Sequence, residues 1–179
     1  MMWPLALFII LAMILGKDKT LRLLKLLIGR SSTQHVELNY ISKGPLMSAA
    51  EQHFYNTLLN IAPADNQVMS KVRVADLLEP NEKGKRYQIA FNKICSKHID
   101  FVVVNKETMD VVICIELNDK SHKRKDRKQR DQLLTDAFEK AQIPLLFIPV
   151  KRSYSEQDIS NLINEKLALN ITHEEAVPN

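Results

Sequence analysis

Cysteine is scarce in this sequence of 179 residues, which contains only Cys95 and Cys114. Both lie in apolar stretches, and they do not form a C-x-x-C pair. A disulfide framework needs several paired cysteines, and a structural zinc site needs clustered thiol or imidazole ligands. Neither kind of site is therefore expected, and we predict that both thiols are reduced core residues of a cytosolic domain.

Internal repeats are also absent, and the overall composition is that of a globular protein, with 45% hydrophobic and 26% charged residues. The length fits one domain with residues to spare for an anchor or a tail. The formal net charge of +4 and the pI near 9.0 suit a polyanionic partner and a membrane surface equally well.

Charged side chains are missing altogether from residues 1–16. As a helix this run would be about 24 Å long, slightly short of the hydrocarbon core of about 30 Å. A signal peptide would begin with a basic residue and end in a small-x-small cleavage site, and neither is present. We predict a transmembrane anchor with Trp3 at one interface and a basic flank after Gly16, and a signal peptide is the alternative. That flank predicts a single-pass protein of the cell inner membrane, with the C-terminal domain in the cytoplasm.

The chain after the anchor divides into three further segments. Residues 17–44 comprise a basic amphipathic helix, expected to lie along the membrane surface, and a polar linker that ends near Gly44-Pro45. Residues 45–167 are the predicted folded domain, and residues 168–179 are a polar, flexible tail.

The folded domain shows alternating helical and strand patterns. A capping box of Ser48 and Glu51 begins the first helix. Helices are expected at residues 45–60, 87–95, 125–141 and 155–167, and strands at 68–78, 99–104, 111–117 and 144–150. This order predicts an α/β fold with a mixed central β-sheet flanked by helices on both faces.

The strands at 99–104 and 111–117 are joined by a loop short enough to make them antiparallel neighbours. If the turn is centred on Thr108, paired residues have numbers that sum to 216, and Asp100 lies opposite Glu116. Their Cβ atoms would then be about 4.5–5.5 Å apart. A register shift of one residue would instead place the two side chains on opposite faces.

Two buried carboxylates at this distance repel each other, so that one takes a proton or a cation lies between them. Together with a backbone carbonyl such as that of Leu117, Asp100 and Glu116 would form an oxygen site suited to Mg²⁺, with Mn²⁺ as a substitute. Such an ion can acidify a water and neutralise charge on a phosphate. The alternative is that both residues lie at strand ends and face solvent.

Four segments taken together resemble the PD-(D/E)XK nuclease superfamily: K-H-I-D-F-V-V-V, V-V-I-C-I-E-L-N-D-K-S-H, R-D-Q-L-L and I-P-L-L-F-I. The likeness is closest to the branch with the very-short-patch repair endonucleases and several bacterial domains of unknown function, and it covers about residues 45–152. It implies a restriction-endonuclease-like fold and a magnesium-dependent endonuclease that hydrolyses phosphodiester bonds in nucleic acid, with DNA as the expected substrate.

Residue by residue, the resemblance assigns metal binding and catalysis to Asp100 and Glu116, and it adds Asn118 and His122 to the catalytic set. Asn118 stands where the superfamily has a lysine, and an amide can only donate or accept hydrogen bonds. A nuclease with Asn118 would therefore need another residue to orient the attacking water or to stabilise charge on the phosphate. His122 would act as a general base or a phosphate contact, or else is a surface histidine in a basic loop.

Five further residues are candidates for a supporting role around the metal. Glu51 matches a helix glutamate that lies near the metal in some members, although its capping-box role explains it fully. Lys97, Asp119 and Lys120 are candidates to replace the missing lysine. Asp131 follows Arg130 and is expected either in an ion pair or beside the metal ligands.

Residues 120–130 form a strongly basic run, K-S-H-K-R-K-D-R-K-Q-R, in which seven of the eleven residues are Lys or Arg. The predicted nucleic-acid-binding residues are Lys120, Lys123, Arg124, Lys125, Arg127, Lys128 and Arg130. No aromatic residue interrupts the run, so base stacking is not indicated there. A solvated helix start and contact with anionic lipid are the alternatives.

Three hypotheses follow for the whole protein. The first is a membrane-anchored, metal-dependent nuclease. The second is a nuclease-like domain without catalysis that binds nucleic acid or serves as a scaffold at the membrane. The third is a lipid-surface protein whose basic run contacts anionic headgroups.

Overall fold

The computed structural model describes residues 16, 18–19, 22, 38–118 and 125–175. The chain separates into two compact units, Met1–Lys43 and Gly44–Asn179. Most of the predicted membrane anchor and amphipathic helix falls outside the described residues. Within the described part of the chain, no helix is both long enough and apolar enough to cross a membrane.

The second unit contains the predicted sequence of helices and strands. Its elements are α1 (Ala49–Ile61), β1 (Asn66–Arg73), a short 3-10 helix (Val74–Asp76), α2 (Lys85–Ile94), β2 (His98–Asn105), β3 (Val111–Asn118), α3 (Lys125–Lys140), β4 (Leu145–Pro149) and α4 (Glu156–Glu175). The predicted capping box is present, because the Ser48 side chain accepts from the Glu51 N–H and the Glu51 carboxylate accepts from the Ser48 N–H.

The four strands form one mixed sheet in the order β1-β2-β3-β4. The β1/β2 and β2/β3 pairs are antiparallel, whereas β3 and β4 are parallel. A parallel pair needs a crossover connection, and α3 provides it. The prediction of a mixed α/β fold is therefore confirmed.

Two apolar clusters cover the two faces of this sheet. From Phe101 to Val104, alternate residues of β2 point to opposite faces, as the pleat of a strand requires. The first cluster contains Val102, Cys114, Ile94 of α2, and Leu134 and Phe138 of α3. The second contains Phe101, Val103, Phe54 and Leu58 of α1, and Ile159 of α4. Each large apolar side chain buried in this way contributes about 1.5–3 kcal/mol to stability. Helices therefore pack on both faces, as predicted.

The register of the β2/β3 hairpin agrees with the predicted sum of 216 over three pairs. These are Phe101–Ile115, Val102–Cys114 and Val103–Ile113. Towards the turn the register shifts at a bulge between Val103 and Val104. Asp100 and Glu116 lie one step beyond the last pair. Glu116 follows the alternation of Cys114 and so lies on the sheet face that carries the first cluster. Asp100 lies between Ile99 of the first cluster and Phe101 of the second, so the alternation of β2 is interrupted at this residue.

Two element boundaries differ from the expectation by five residues or more. Strand β1 ends at Arg73 and does not reach residue 78, because the chain turns into the 3-10 helix and the N–H groups of Leu77 and Leu78 both donate to the Val74 carbonyl. Helix α4 continues past Leu167 to Glu175. Leu167 packs against the second cluster, and the Asn170 side chain donates to the Gln142 carbonyl, so contacts with the domain support this extension.

Candidate active site

The backbone pairing of strands β2 and β3 ends at Phe101 and Ile115. Beyond that point, the two strands are joined by hydrogen bonds to the carboxylates of Asp100 and Glu116. The Asp100 N–H donates to Glu116 Oε2 at 3.2 Å. The Leu117 N–H donates to Asp100 Oδ2 at 2.9 Å. Each carboxylate thus binds the backbone of the opposite strand. The predicted proximity of Asp100 and Glu116 is confirmed, and the solvent-facing alternative does not hold for Glu116.

Glu116 is almost completely buried, with 2% of its surface exposed. Burial and the neighbouring Asp100 charge raise its pKa to about 7, although Arg130 and the Asp100 N–H act in the opposite direction. An ionised Glu116 is therefore costly in the protein alone. Any cation placed against it would offset that cost.

Arg130 is the first basic residue that the structure brings to this pair. It projects from α3, and its Nη2 donates to Glu116 Oε1. The sequence predicted Arg130 as one of seven nucleic-acid contacts. Its guanidinium is bound to a buried carboxylate, and about a third of the side chain remains exposed, so the nucleic-acid contact stays a prediction. Its first role is thus to neutralise Glu116.

Lys71 is the second basic residue of the site, and it was not among the residues predicted from the sequence. Its Nζ donates to Asp100 Oδ1 at 2.7 Å and to Glu51 Oε1 at 2.6 Å. Burial alone would lower the Lys71 pKa, but the hydrogen bonds that Lys71 donates to Asp100 and Glu51 outweigh burial, and the pKa is raised. Lys71 therefore remains an ammonium cation held between two carboxylates.

The backbone of Lys71 is unusual for a residue inside a strand. Its φ is +57°, in the left-handed region that non-glycine residues rarely adopt. The adjacent residues stay in register, with Ser70 opposite Phe101 and Val72 opposite Ile99. A left-handed conformation costs roughly 1–2 kcal/mol for an L-residue. The chain therefore accepts local strain at the residue whose ammonium reaches Asp100.

Glu51 combines the two roles that the sequence analysis treated as alternatives. Its Oε2 accepts from the Ser48 N–H at 2.7 Å, which completes the capping box. Its Oε1 accepts from Lys71. Burial would raise the Glu51 pKa, but the Lys71 and Ser48 hydrogen bonds lower it overall. Glu51 is therefore ionised and joins α1 to the site.

The other candidate residues are less closely connected to the two carboxylates. Asn118 ends β3, and its carbonyl accepts from the Val150 N–H at 2.9 Å. The Lys97 backbone closes the turn before β2, and among the described residues the lysine that reaches Asp100 is Lys71 instead. Asp131 Oδ1 is buried and has no hydrogen-bond partner within the part of the chain that the structure describes.

The remaining predicted residues fall largely outside the described residues. Asp119, Lys120, His122, Lys123 and Arg124 lie in the segment 119–124, which is not described. Lys125 and Arg127 belong to the first turn of α3, but their side chains are not described. Lys128 is exposed. The basic run thus leads into the helix that carries Arg130.

The donor set is compatible with a magnesium ion that keeps much of its water. Among residues 16, 18–19, 22, 38–118 and 125–175, no group of three or more His, Cys, Asp or Glu residues is arranged to hold a metal. Mg²⁺ does not need such a cage, since it commonly binds one or two carboxylates and fills its shell with water and phosphate oxygens. Asp100 and Glu116 provide two carboxylates, and each oxygen has a second lone pair beyond the partner described above.

The net charge of the site favours the binding of a cation. Three carboxylates, those of Glu51, Asp100 and Glu116, face two basic groups, those of Lys71 and Arg130. With all five ionised, one negative charge is left over. A divalent ion would reverse that sign, which favours an anionic partner such as a phosphate beside it.

Comparison with known proteins gives one match. A family model described as "Protein of unknown function (DUF2726)" matches residues 43–167. No curated protein and no solved structure matches the chain.

Proposed function

Because the chain belongs to the DUF2726 family, whose description names no activity, we propose a function from the chemistry of the site itself. We propose that the protein is a magnesium-dependent nuclease that hydrolyses phosphodiester bonds in nucleic acid, with DNA as the substrate. Mn²⁺ would support the same reaction in place of Mg²⁺. The PD-(D/E)XK resemblance in the segments around Asp100 and Glu116 supports the same reading.

One observation carries the proposal: the buried carboxylate of Glu116 bonds the backbone N–H of Asp100, whose own carboxylate lies beside it. Proteins rarely bury an acidic group next to a second one without a compensating cation or a function for it. Arg130 compensates in part. The excess negative charge and the remaining lone pairs support a site for a metal ion.

In this proposal, Asp100 and Glu116 hold the ion. The ion would supply an acidified water and neutralise charge that develops on the phosphate. Lys128, exposed on α3, and its basic neighbours would position the backbone of the nucleic acid through phosphate contacts. His122, four residues beyond Asn118, is the candidate to accept a proton from the attacking water.

We further propose that residues 1–16 anchor the protein in the inner membrane with the nuclease domain in the cytoplasm. The support is the uncharged run itself and the Lys and Arg residues that follow it. In vivo the enzyme would then act on nucleic acid close to the membrane.

The full chain, purified in detergent, tests the proposal against plasmid DNA, single-stranded DNA and RNA with Mg²⁺, Mn²⁺ or a chelator. Cleavage should need the divalent ion, and Asp100→Asn should lower it by about 10²-fold or more. Asp110→Asn, at an exposed carboxylate of the same hairpin, is the matched control and should cleave normally. Equal cleavage by Asp100→Asn, or none by the wild type, would reject a nuclease at this site.

A second candidate function is nucleic-acid binding without catalysis. It is favoured by the amide at Asn118 and by the ion pairs that Lys71 and Arg130 already form with the two carboxylates. This protein would bind DNA with an affinity that falls steeply with salt, and a chelator would leave its binding unchanged.

A further inference from the structure

The ammonium of Lys71 lies where a metal-binding carboxylate would have to accept its ion. Lys71 Nζ is 2.7 Å from Asp100 Oδ1, a distance typical of a charge-assisted hydrogen bond. Asp100 Oδ2 is meanwhile bound to the Leu117 N–H. Each oxygen of Asp100 thus has one partner, and a metal ion that used the second lone pair of Oδ1 would share this oxygen with a full positive charge.

We propose that Lys71 is a built-in cation that competes with the divalent ion for Asp100, so that metal binding requires the ammonium to leave this carboxylate. The inference rests on the proposed metal site at Asp100 and Glu116. Two cations at one carboxylate repel each other, and the repulsion is stronger in a partly buried site than in water. Lys71 thus lowers the affinity of the site for the divalent ion.

Glu51 explains how Lys71 can leave Asp100 without leaving the site. Its Oε1 is the second acceptor of the ammonium, at 2.6 Å, and its other oxygen is fixed by the N-cap of α1. An ammonium that moves off Asp100 stays held at Glu51 beside the sheet. There it is available to an incoming phosphate, which carries the opposite charge. Lys71 in this way couples the arrival of the metal to the arrival of the substrate.

The backbone conformation of Lys71 supports a functional role for its charge. A left-handed φ of +57° inside β1 is a conformation in which glycine is the favoured residue. Strained residues of this kind persist where the surrounding structure holds them, and they concentrate at functional sites. A lysine at this position therefore places a cation at Asp100 at a conformational cost that a glycine would not have.

Calorimetry of metal binding to the full chain in detergent, without nucleic acid, tests the proposal. Lys71→Met removes the charge and should bind Mn²⁺ about tenfold more tightly than the wild type. Lys71→Gln, which also lacks the charge but keeps a hydrogen-bond donor, should show the same gain and serves if the methionine variant does not fold. Lys106→Met is the matched control, because Lys106 donates to the Ala64 carbonyl outside the site and should leave the affinity unchanged.

Unchanged or weaker Mn²⁺ binding by a folded Lys71→Met or Lys71→Gln variant would overturn the proposal, and so would a lack of binding by every variant. A lysine that lies away from the two carboxylates, such as Lys106, would not raise metal affinity when removed. A parallel cleavage assay separates this inference from the nuclease proposal. If the Lys71 variants bind Mn²⁺ more tightly but no variant cleaves nucleic acid, the competing cation is supported and the nuclease is rejected. If cleavage depends on the metal but the Lys71 variants bind Mn²⁺ as the wild type does, the nuclease is supported and the competing cation is rejected.

Discussion

Each carboxylate of the central pair has a basic side chain of its own. Lys71 binds Asp100, and Arg130 binds Glu116. The two acids differ in environment, because Glu116 is almost fully buried while the Asp100 side chain is 13% exposed. The free-energy cost of removing a charge from water is therefore largest at Glu116, whereas the backbone strain of the site is located at Lys71.

The strain at Lys71 can be measured by comparing two substitutions. Lys71→Ala and Lys71→Gly both remove the ion pairs, but only glycine adopts φ near +57° without steric cost. We expect the Gly variant to be more stable than the Ala variant by about 1 kcal/mol. Chemical denaturation of both variants checks this. Equal stabilities, or a more stable Ala variant, would show that the backbone is not strained there.

Glu116 predicts a pH dependence in the metal-free protein. Its pKa rises from an ordinary value of 4.5 to about 7 on folding, so between these pH values the folded protein binds more protons than the unfolded chain. Stability should therefore fall as the pH rises through this window, by up to about 3 kcal/mol. Denaturation in the presence of a chelator at several pH values measures the slope.

Glu116→Gln should remove most of that slope, because an amide does not titrate. The matched control is Glu107→Gln, at an exposed glutamate of the loop between β2 and β3, which should keep the wild-type profile. A Glu116→Gln profile that is as steep as that of the wild type would locate the pH dependence elsewhere.

At the scale of elements, helix α3 is tied to strand β3 through Arg130 and Glu116. Removing one partner of a buried ion pair leaves the other charge uncompensated. We expect Arg130→Met to destabilise the domain by about 1–3 kcal/mol near neutral pH, less than for a fully buried pair because Arg130 is partly exposed. Lys128→Met, at an exposed lysine of the same helix, should have almost no effect.

A double-mutant cycle distinguishes this coupling from a general effect on α3. The cost of Arg130→Met should shrink when Glu116→Gln is already present, since no buried charge then remains to be neutralised. Additive costs would mean that Arg130 stabilises the helix by another route.

The sequence was sufficient to predict the pairing of Asp100 with Glu116 in the hairpin, whereas it predicted strand β1 without its register against β2. A short loop links β2 to β3 and makes them antiparallel neighbours, so that the possible registers are few. The pair nearest the turn, Val104–Val111, is one residue out of the predicted register, and the bulge after Val103 restores it and places Asp100 beside Glu116. Between β1 and β2 lie residues 74–97, with the 3-10 helix and α2. Nothing local fixes the register across so long a connection, and Lys71 could not be assigned to Asp100 from the sequence.

Arg130 and Glu51 were difficult to predict for different reasons. Arg130 belongs to a run of similar basic residues, and only its position on α3 turns it towards Glu116. The capping box explains Glu51 completely from its neighbours in the sequence. The sequence therefore does not indicate that this residue also has a distant partner. Its contact with Lys71 depends on how α1 packs against the sheet.

At the scale of the whole domain, the site lies where elements from both faces of the sheet meet. Glu51 belongs to α1, which packs in the second apolar cluster, and Arg130 belongs to α3, which packs in the first. Both helices contribute one charged side chain to the same end of the β2/β3 hairpin. The packing of the two faces therefore determines whether the charged groups converge.

The match of the family model to residues 43–167 spans this domain from the start of the second unit into α4. The proposed site uses residues from α1 to α3 and thus lies inside the matched segment. The apolar run at residues 1–16 lies outside it. The proposed chemistry and the proposed membrane anchor therefore belong to separate parts of the chain and can be tested separately.

The central claim is that Asp100 and Glu116 bind a divalent ion, and the most direct measurement is the structure of Mn²⁺-soaked crystals with anomalous diffraction. The account predicts an anomalous peak with oxygens of both carboxylates as direct ligands and with the Lys71 ammonium moved off Asp100. A structure at saturating Mn²⁺ that shows no peak there, with Lys71 and Arg130 still bound to the two carboxylates, would contradict it.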